Sequence, residues 1–287
     1  MNRLRLQKPT PTASAAPAEG SKPRSTRLSA GQIYDNIRVA AQEELRRPAT
    51  ALFWSAIAAG LTIGFSFLAG AYLMALVPAT YSGAATALGY PLGFVFVVLA
   101  RGQLFTENTL EPIIPMLHKP TLKTLRQLLS LWVVVLIGNL AGACAFAAIV
   151  ALTPMLGDTL RPTLIAVAKT GTDGGFWLVA LRAIYAGWLI ALMAWLIAST
   201  RATGAQVLLI WLTTAPISAL GFRHSVAGSV EAFYRAFEHT AGWGEMAGGF
   251  LLPAVMGNIV GGFVFVALLN HGQVAADRAG DAATPDT

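Results

Sequence analysis

Charge is scarce in this chain. Of its 287 residues only 12% are Asp, Glu, Lys or Arg, while 55% are hydrophobic. A soluble globular chain carries about 25% charged residues, so the composition excludes an ordinary soluble domain and points to an integral membrane protein. There is one cysteine, Cys144, inside the apolar run GACAFAAIV. A single thiol excludes an intrachain disulfide framework, and no zinc-ligand spacing is present. No nucleophile–base set and no cofactor-binding loop is found, so neither an enzyme nor a bound cofactor or metal is expected. The opening MNRLRLQKPTPTASAAPAEGSKPRS has no apolar core and is not expected to be a signal peptide. Its Pro, Ala, Ser and Lys content predicts a disordered tail over residues 1–28, and residues 272–287 read the same way. The net charge of +6 points to a membrane face at the cytoplasm rather than to nucleic acid.

Long apolar runs are what the chain does have. They predict six membrane passes, at about 51–76, 85–116, 127–152, 176–199, 205–236 and 249–270. Ahead of the first, Ser29 and Gln32 form a capping-box pair, and Ile33, Ile37, Ala41 and Leu45 fall near one helical face. This predicts an amphipathic interfacial helix over 29–47, followed by a six-span domain over 48–271. Fourteen Lys and Arg residues fall on the side of both termini and three on the other. The positive-inside rule therefore predicts both termini in the cytoplasm. Arg101, Arg182 and Arg223 fall inside spans.

GNLAG at 138–142 recurs as GNIVG at 257–261, an offset of 119 that also maps Gly102 onto Gly221, Phe105 onto His224 and Thr106 onto Ser225. The chain thus reads as two halves of three spans each. An odd number of spans per half makes the repeat inverted. Both copies are GxxxG motifs, which let helix backbones approach closely. Asn139 and Asn258 are placed to hydrogen-bond across helices or to broken backbone.

Spans 2 and 5 correspond in the repeat, and both read as interrupted. Span 2 carries Gly102, polar Thr106 to Thr109, Pro112 and Pro115; span 5 carries Pro216, Gly221 and Gly228 around Arg223, His224 and Ser225. Non-helical backbone at membrane depth is tolerated where it is buried in protein or lines a wet cavity. Paired interruptions of this kind point to a transport site, and half-helix N-termini there suit an anion.

These residues resemble a known family. GQLFTENT, GFRHSVAGS and the paired GN..G motifs look like the formate/nitrite transporter family, over about residues 30–272. The resemblance implies an aquaporin-like protomer in a bacterial-type inner membrane, a homopentamer, and one pore per subunit. It implies pore positions at Leu104, Phe105, Thr106, His224, Asn258 and Tyr90. Three positions depart from the family pattern: Arg223 stands where an acidic residue is usual, and Gly228 and Gly187 stand where asparagines are usual.

A small monovalent anion must shed water to pass an apolar constriction, and desolvating its charge is costly. Hydroxyls of Thr106 and Ser225 are candidate donors, and Leu104, Phe105 and Ile217 candidate constrictions. Arg223 would draw an anion in, and His224 would give it a proton. The bland readings stay beside these: a structural histidine, a Thr106 hydroxyl bonded to a nearby carbonyl, and Glu107 and Glu111 as braces of the half-helix or shapers of the cytoplasmic mouth. The expected function is a passive or proton-linked channel for formate- or nitrite-like anions. The alternatives are a channel for neutral small solutes and a non-transporting membrane interaction protein.

Overall fold

The computed structural model describes residues 27–118 and 120–283. Most of the predicted N-terminal tail, Lys119 and the last four residues lie outside them. Among the described residues the chain is helical and has no strands. In order the helices are α1 (Ala30–Glu44), α2 (Ala49–Ala75), α3 (Ser82–Gly89), α4 (Pro91–Leu99), α5 (Ile113–His118), α6 (Leu122–Leu152), α7 (Arg161–Thr172), α8 (Phe176–Ile197), α9 (Thr203–Ala219), α10 (Ser225–Phe237), α11 (Trp243–Glu245), α12 (Leu252–Gly262) and α13 (Leu269–Ala283). Two π-helical stretches, Met246–Leu251 and Phe263–Leu268, flank α12.

Among the described residues four stretches are long and apolar enough to cross a membrane: Ala49–Ala75, Ala79–Leu99, Leu122–Leu152 and Phe176–Ile197; Thr203–Ala219 is apolar but shorter. α1 starts as its sequence predicts. The Ser29 hydroxyl accepts from the Gln32 backbone N–H, and the Gln32 side chain accepts from that of Ser29. Its buried face is Ile33, Tyr34, Ile37 and Ala41. α6 begins five residues before the expected 127, because Thr121 after Pro120 caps the N–H of Thr124.

α7 lies in a stretch read as a connection. Its buried face is only Leu164, Val167, Ala168 and Thr172, too short an apolar stripe to register as a run. Residues 272–283, read as tail, continue as helix in α13. That helix meets α1 through Tyr34 Oη and His271 Nδ1 at 2.6 Å, and an Arg278–Asp35 ion pair at 2.8 Å. A stretch without an apolar run thus takes its order from partners distant in sequence.

The repeat is visible in the packing: α2 lies on α6 as α8 lies on α12. A Cβ at Gly142 would strike the backbone of Ile57 and Leu61, and one at Gly261 the backbone of Ile184 and Trp188. The GxxxG motifs are therefore contact points at which two helix backbones touch.

Candidate functional site

α4 and α9 end at corresponding places in the repeat, and they end by the same device. After α4, the N–H of Arg101 donates to Val98 O at 3.0 Å and that of Gly102 to Val97 O at 2.9 Å. After α9, the N–H of Gly221 donates to Ser218 O at 3.1 Å and that of Phe222 to Ile217 O at 2.8 Å. Each is a Schellman termination, which needs a left-handed residue. That residue is Gly221 (φ 66°) in the second half and Arg101 (φ 54°) in the first.

Two buried asparagines then hold the broken backbone. Asn139 Oδ1 accepts from the N–H of Phe105, while its Nδ2 donates to Ala56 O and Gln103 O, each bond 2.8 Å. Asn258 Oδ1 accepts from the N–H of Ser225 at 2.8 Å, while its Nδ2 donates to Ala183 O at 2.7 Å and Arg223 O at 2.9 Å. These roles pair Arg101 with Gly221, Gln103 with Arg223, Leu104 with His224 and Phe105 with Ser225. The offset across the break is therefore 120, one more than the GN motifs suggest: 34 residues separate Phe105 from Asn139, and 33 separate Ser225 from Asn258.

Between the breaks, Thr106 and His224 meet. His224 is the N-cap of α10, and its Nδ1 accepts from the N–H of Ala227 at 3.0 Å. With Nδ1 occupied as an acceptor, the neutral ring carries its proton on Nε2. That N–H donates to Thr106 Oγ1 at 2.8 Å. Phe94 meets the imidazole edge-on, with ring centroids 5.0 Å apart, and stands against Tyr90 at 5.3 Å. Thr106, Ser225, Asn139 and Asn258 are all fully buried.

Each break lines a cavity. On the α1 side about 530 Å³ is lined by residues that include Glu43, Glu44, Arg101, Gln103, Glu107 and Glu111. On the α7 side about 140 Å³ is lined by residues that include Tyr90, Ser218, Arg223, His224 and Glu231. Arg223 is 4% exposed. Its Nη1 donates to Gly221 O at 3.0 Å and its Nη2 to Asp173 O at 2.9 Å, while Nε is buried without a partner among the described residues. Backbone carbonyls, rather than a carboxylate, satisfy this guanidinium.

The structure thus brings His224 and Thr106 into one hydrogen bond, and Tyr90, Arg223 and His224 to one cavity. Ser225 serves the site through its backbone N–H; its hydroxyl has no partner among the described residues. Leu104, Phe105 and Ile217 are buried in the central apolar cluster, Phe105 with its ring edge-on to Trp132. At two of the departures the packing leaves no room for a side chain. A Cβ at Gly187 would strike the Asn258 backbone, and one at Gly228 the ring of Phe250.

Three residues escaped the sequence reading. Phe94 stands four after Tyr90, Glu231 stands seven after His224, and Gln103 is the repeat partner of Arg223. The helical spacings were available as signals; the pairing of Gln103 was hidden by the wrong offset. Gln103 also ties the first break to α1, since its Nε2 donates to Glu44 Oε2 at 3.0 Å.

Comparison with known proteins agrees with this architecture. The family model for the formate/nitrite transporter matches residues 31–272. The chain is 38% identical over 246 residues to the inner membrane protein YfdC of Escherichia coli K12, covering 85% of this chain and 79% of that protein. It is 27% identical to the formate channel BtFdhC of Bacillus thuringiensis, covering 82% and 91%. Among solved structures it resembles a pentameric formate channel with formate bound, at a TM-score of 0.65 and 24% identity, covering 79% of this chain and 98% of that one. The chain is a membrane protein, and it belongs to the formate/nitrite transporter family.

Proposed function

We propose that this protein conducts small monovalent anions of weak acids, of the formate and nitrite kind, through a pore within each subunit. The observation that carries this reading is the buried hydrogen bond between Thr106 and His224, with a cavity lined by each of the two breaks. Six passes with both termini cytoplasmic make the α1-side cavity the inner mouth and the α7-side cavity the outer one. The second and fifth passes are the interrupted ones, in an aquaporin-like inverted repeat. Five subunits assemble, as in the pentameric formate channel that the fold resembles.

A substrate oxygen reaching the centre takes over the Nε2–H that Thr106 accepts in the resting pore. Phe94 and Leu104 exclude water there, so a hydrogen bond from the imidazole replaces part of the lost hydration. Sequence reasoning gives His224 a proton-donor role as well. The N-cap geometry favours the narrower role of hydrogen-bond donor. Handing over the Nε2 proton would require Nδ1 to be protonated, and that would cost α10 its cap. Arg223 lends the outer mouth a fixed positive charge. Family membership supports transport over catalysis.

Purified protein in liposomes tests this reading. Uptake of labelled formate and nitrite should exceed that of protein-free liposomes, with no matching rise in water flux. Thr106→Val and His224→Asn should each cut anion uptake while leaving the elution profile unchanged. Wild-type uptake at the background level would sink the reading and leave a membrane interaction protein on this fold.

A further inference from the structure

Glu231 has no part in the bridge between Thr106 and His224. It follows His224 by seven residues on α10, a spacing that returns to the same helix face. It is 6% exposed, and its carboxylate lies directly against Gly171 of α7. It has no hydrogen-bond partner among the described residues. Burying a carboxylate in this way is costly unless something completes it. The same cavity lining holds the opposite deficit: Arg223 Nε is a buried donor with no acceptor among the described residues. Both side chains open on this one cavity of about 140 Å³. An unmet acceptor and an unmet donor facing one small space fit a molecule that offers one of each on neighbouring oxygens. A small oxyacid does so, and an oxyanion beside a protonated Glu231 contains the same atoms.

We infer that the outer cavity is a joint proton and anion site, in which Arg223 holds a small weak-acid oxyanion and Glu231 gives it a proton. The inference rests on the proposed channel function. In the transfer, the O–H bond of the Glu231 carboxyl breaks and an O–H bond forms on the anion. The electron pair stays on Glu231, and the outer solution returns the proton. The neutral acid then passes Phe94 and His224, which keeps its own proton and its cap.

The groups around Glu231 suit this role. Tyr90, Arg223 and His224 share the cavity. On α7, Lys169 is exposed, and Asp173 at its end is bonded to Arg235 of α10 itself. Also on α10, Tyr234 is buried, its ring against Phe67. The outer half of α6 brings only Cys144, α2 brings only Tyr72, and α12 brings no titratable side chain. Arg223 is thus the charge that opposes Glu231 inside the cavity.

The test compares wild type, Glu231→Gln and Glu231→Asp in liposomes across outer pH, with formate and nitrate as probes and protein-free liposomes as background. In wild type, formate uptake should fall about tenfold per pH unit on its alkaline limb, the signature of one required proton. Nitrate, the anion of a strong acid, should respond less. Glu231→Gln should flatten the formate profile and cut uptake by about tenfold at acidic pH. Glu231→Asp keeps a titrating carboxyl and should keep the slope. A Glu231→Gln protein with wild-type elution and wild-type slope overturns the inference and leaves the channel intact. A flat wild-type profile overturns it as well. If the Gln variant does not assemble, the Asp variant decides, and a flat profile there counts against the proposal. Absence of any formate uptake by wild type would remove the channel reading and this one together.

Discussion

The two breaks share a backbone stop and then diverge. After the second, the chain re-enters a 13-residue helix, α10, capped by His224. After the first, it makes a 3-10 turn over Glu107–Thr109 and then the six-residue α5. Proline explains the contrast. Pro112 and Pro115 interrupt the first continuation, and no proline lies within α10. The second break is therefore stabilised by a helix it begins. The first is stabilised by side chains brought from elsewhere: Asn108 Nδ2 donates to Gln103 Oε1 at 3.1 Å, and Trp132 Nε1 donates to Asn108 O at 2.8 Å. Both halves keep the backbone device, while the titratable side chain of the bridge stands in only one of them. His224 occupies the position that Leu104 fills in the other half.

The asparagines give the largest expected effect. Each satisfies three backbone groups, and a net hydrogen bond contributes about 1 kcal/mol, with a further cost for each buried group left unmet. Asn258→Ala and Asn139→Ala should each lose on the order of 3 kcal/mol or more, read as a lowered thermal midpoint in detergent. The contrast between the breaks sharpens this. Asn139→Ala should be the milder of the two for flux at equal destabilisation, because the His224 ring is positioned by the Asn258 loop. Equal flux losses would mean that both loops set the bridge together.

The left-handed positions give a smaller effect of opposite sign in the two halves. Gly221→Ala places a Cβ in a conformation that costs about 1–2 kcal/mol, so the thermal midpoint should fall. Arg101→Gly relieves the same cost, partly offset by the greater freedom glycine has in the unfolded chain, and should stabilise by up to about 1 kcal/mol. A drop in the midpoint with Arg101→Gly would show that the guanidinium, at the lining of the inner cavity, contributes more than its backbone costs.

Legible in the sequence alone were the helical membrane class, the capping box that starts α1, the repeated GN..G motif and the glycines and prolines at which α4 and α9 give out. Each of these is written locally, in hydropathy, in caps and in glycine and proline. Packing set what depends on length and approach. It set the register of the breaks, because the offset of 120 comes from which N–H groups reach Asn139 and Asn258. It ordered α7 and α13, whose short apolar faces mean little until other helices cover them. It also determined that Arg223 is met by carbonyls and that Glu231 opens beside it, since two residues eight apart in sequence meet in one cavity only after α9, α10 and α7 enclose it. Local patterns report what a segment can form; which polar atoms are left without partners is settled only by what surrounds them.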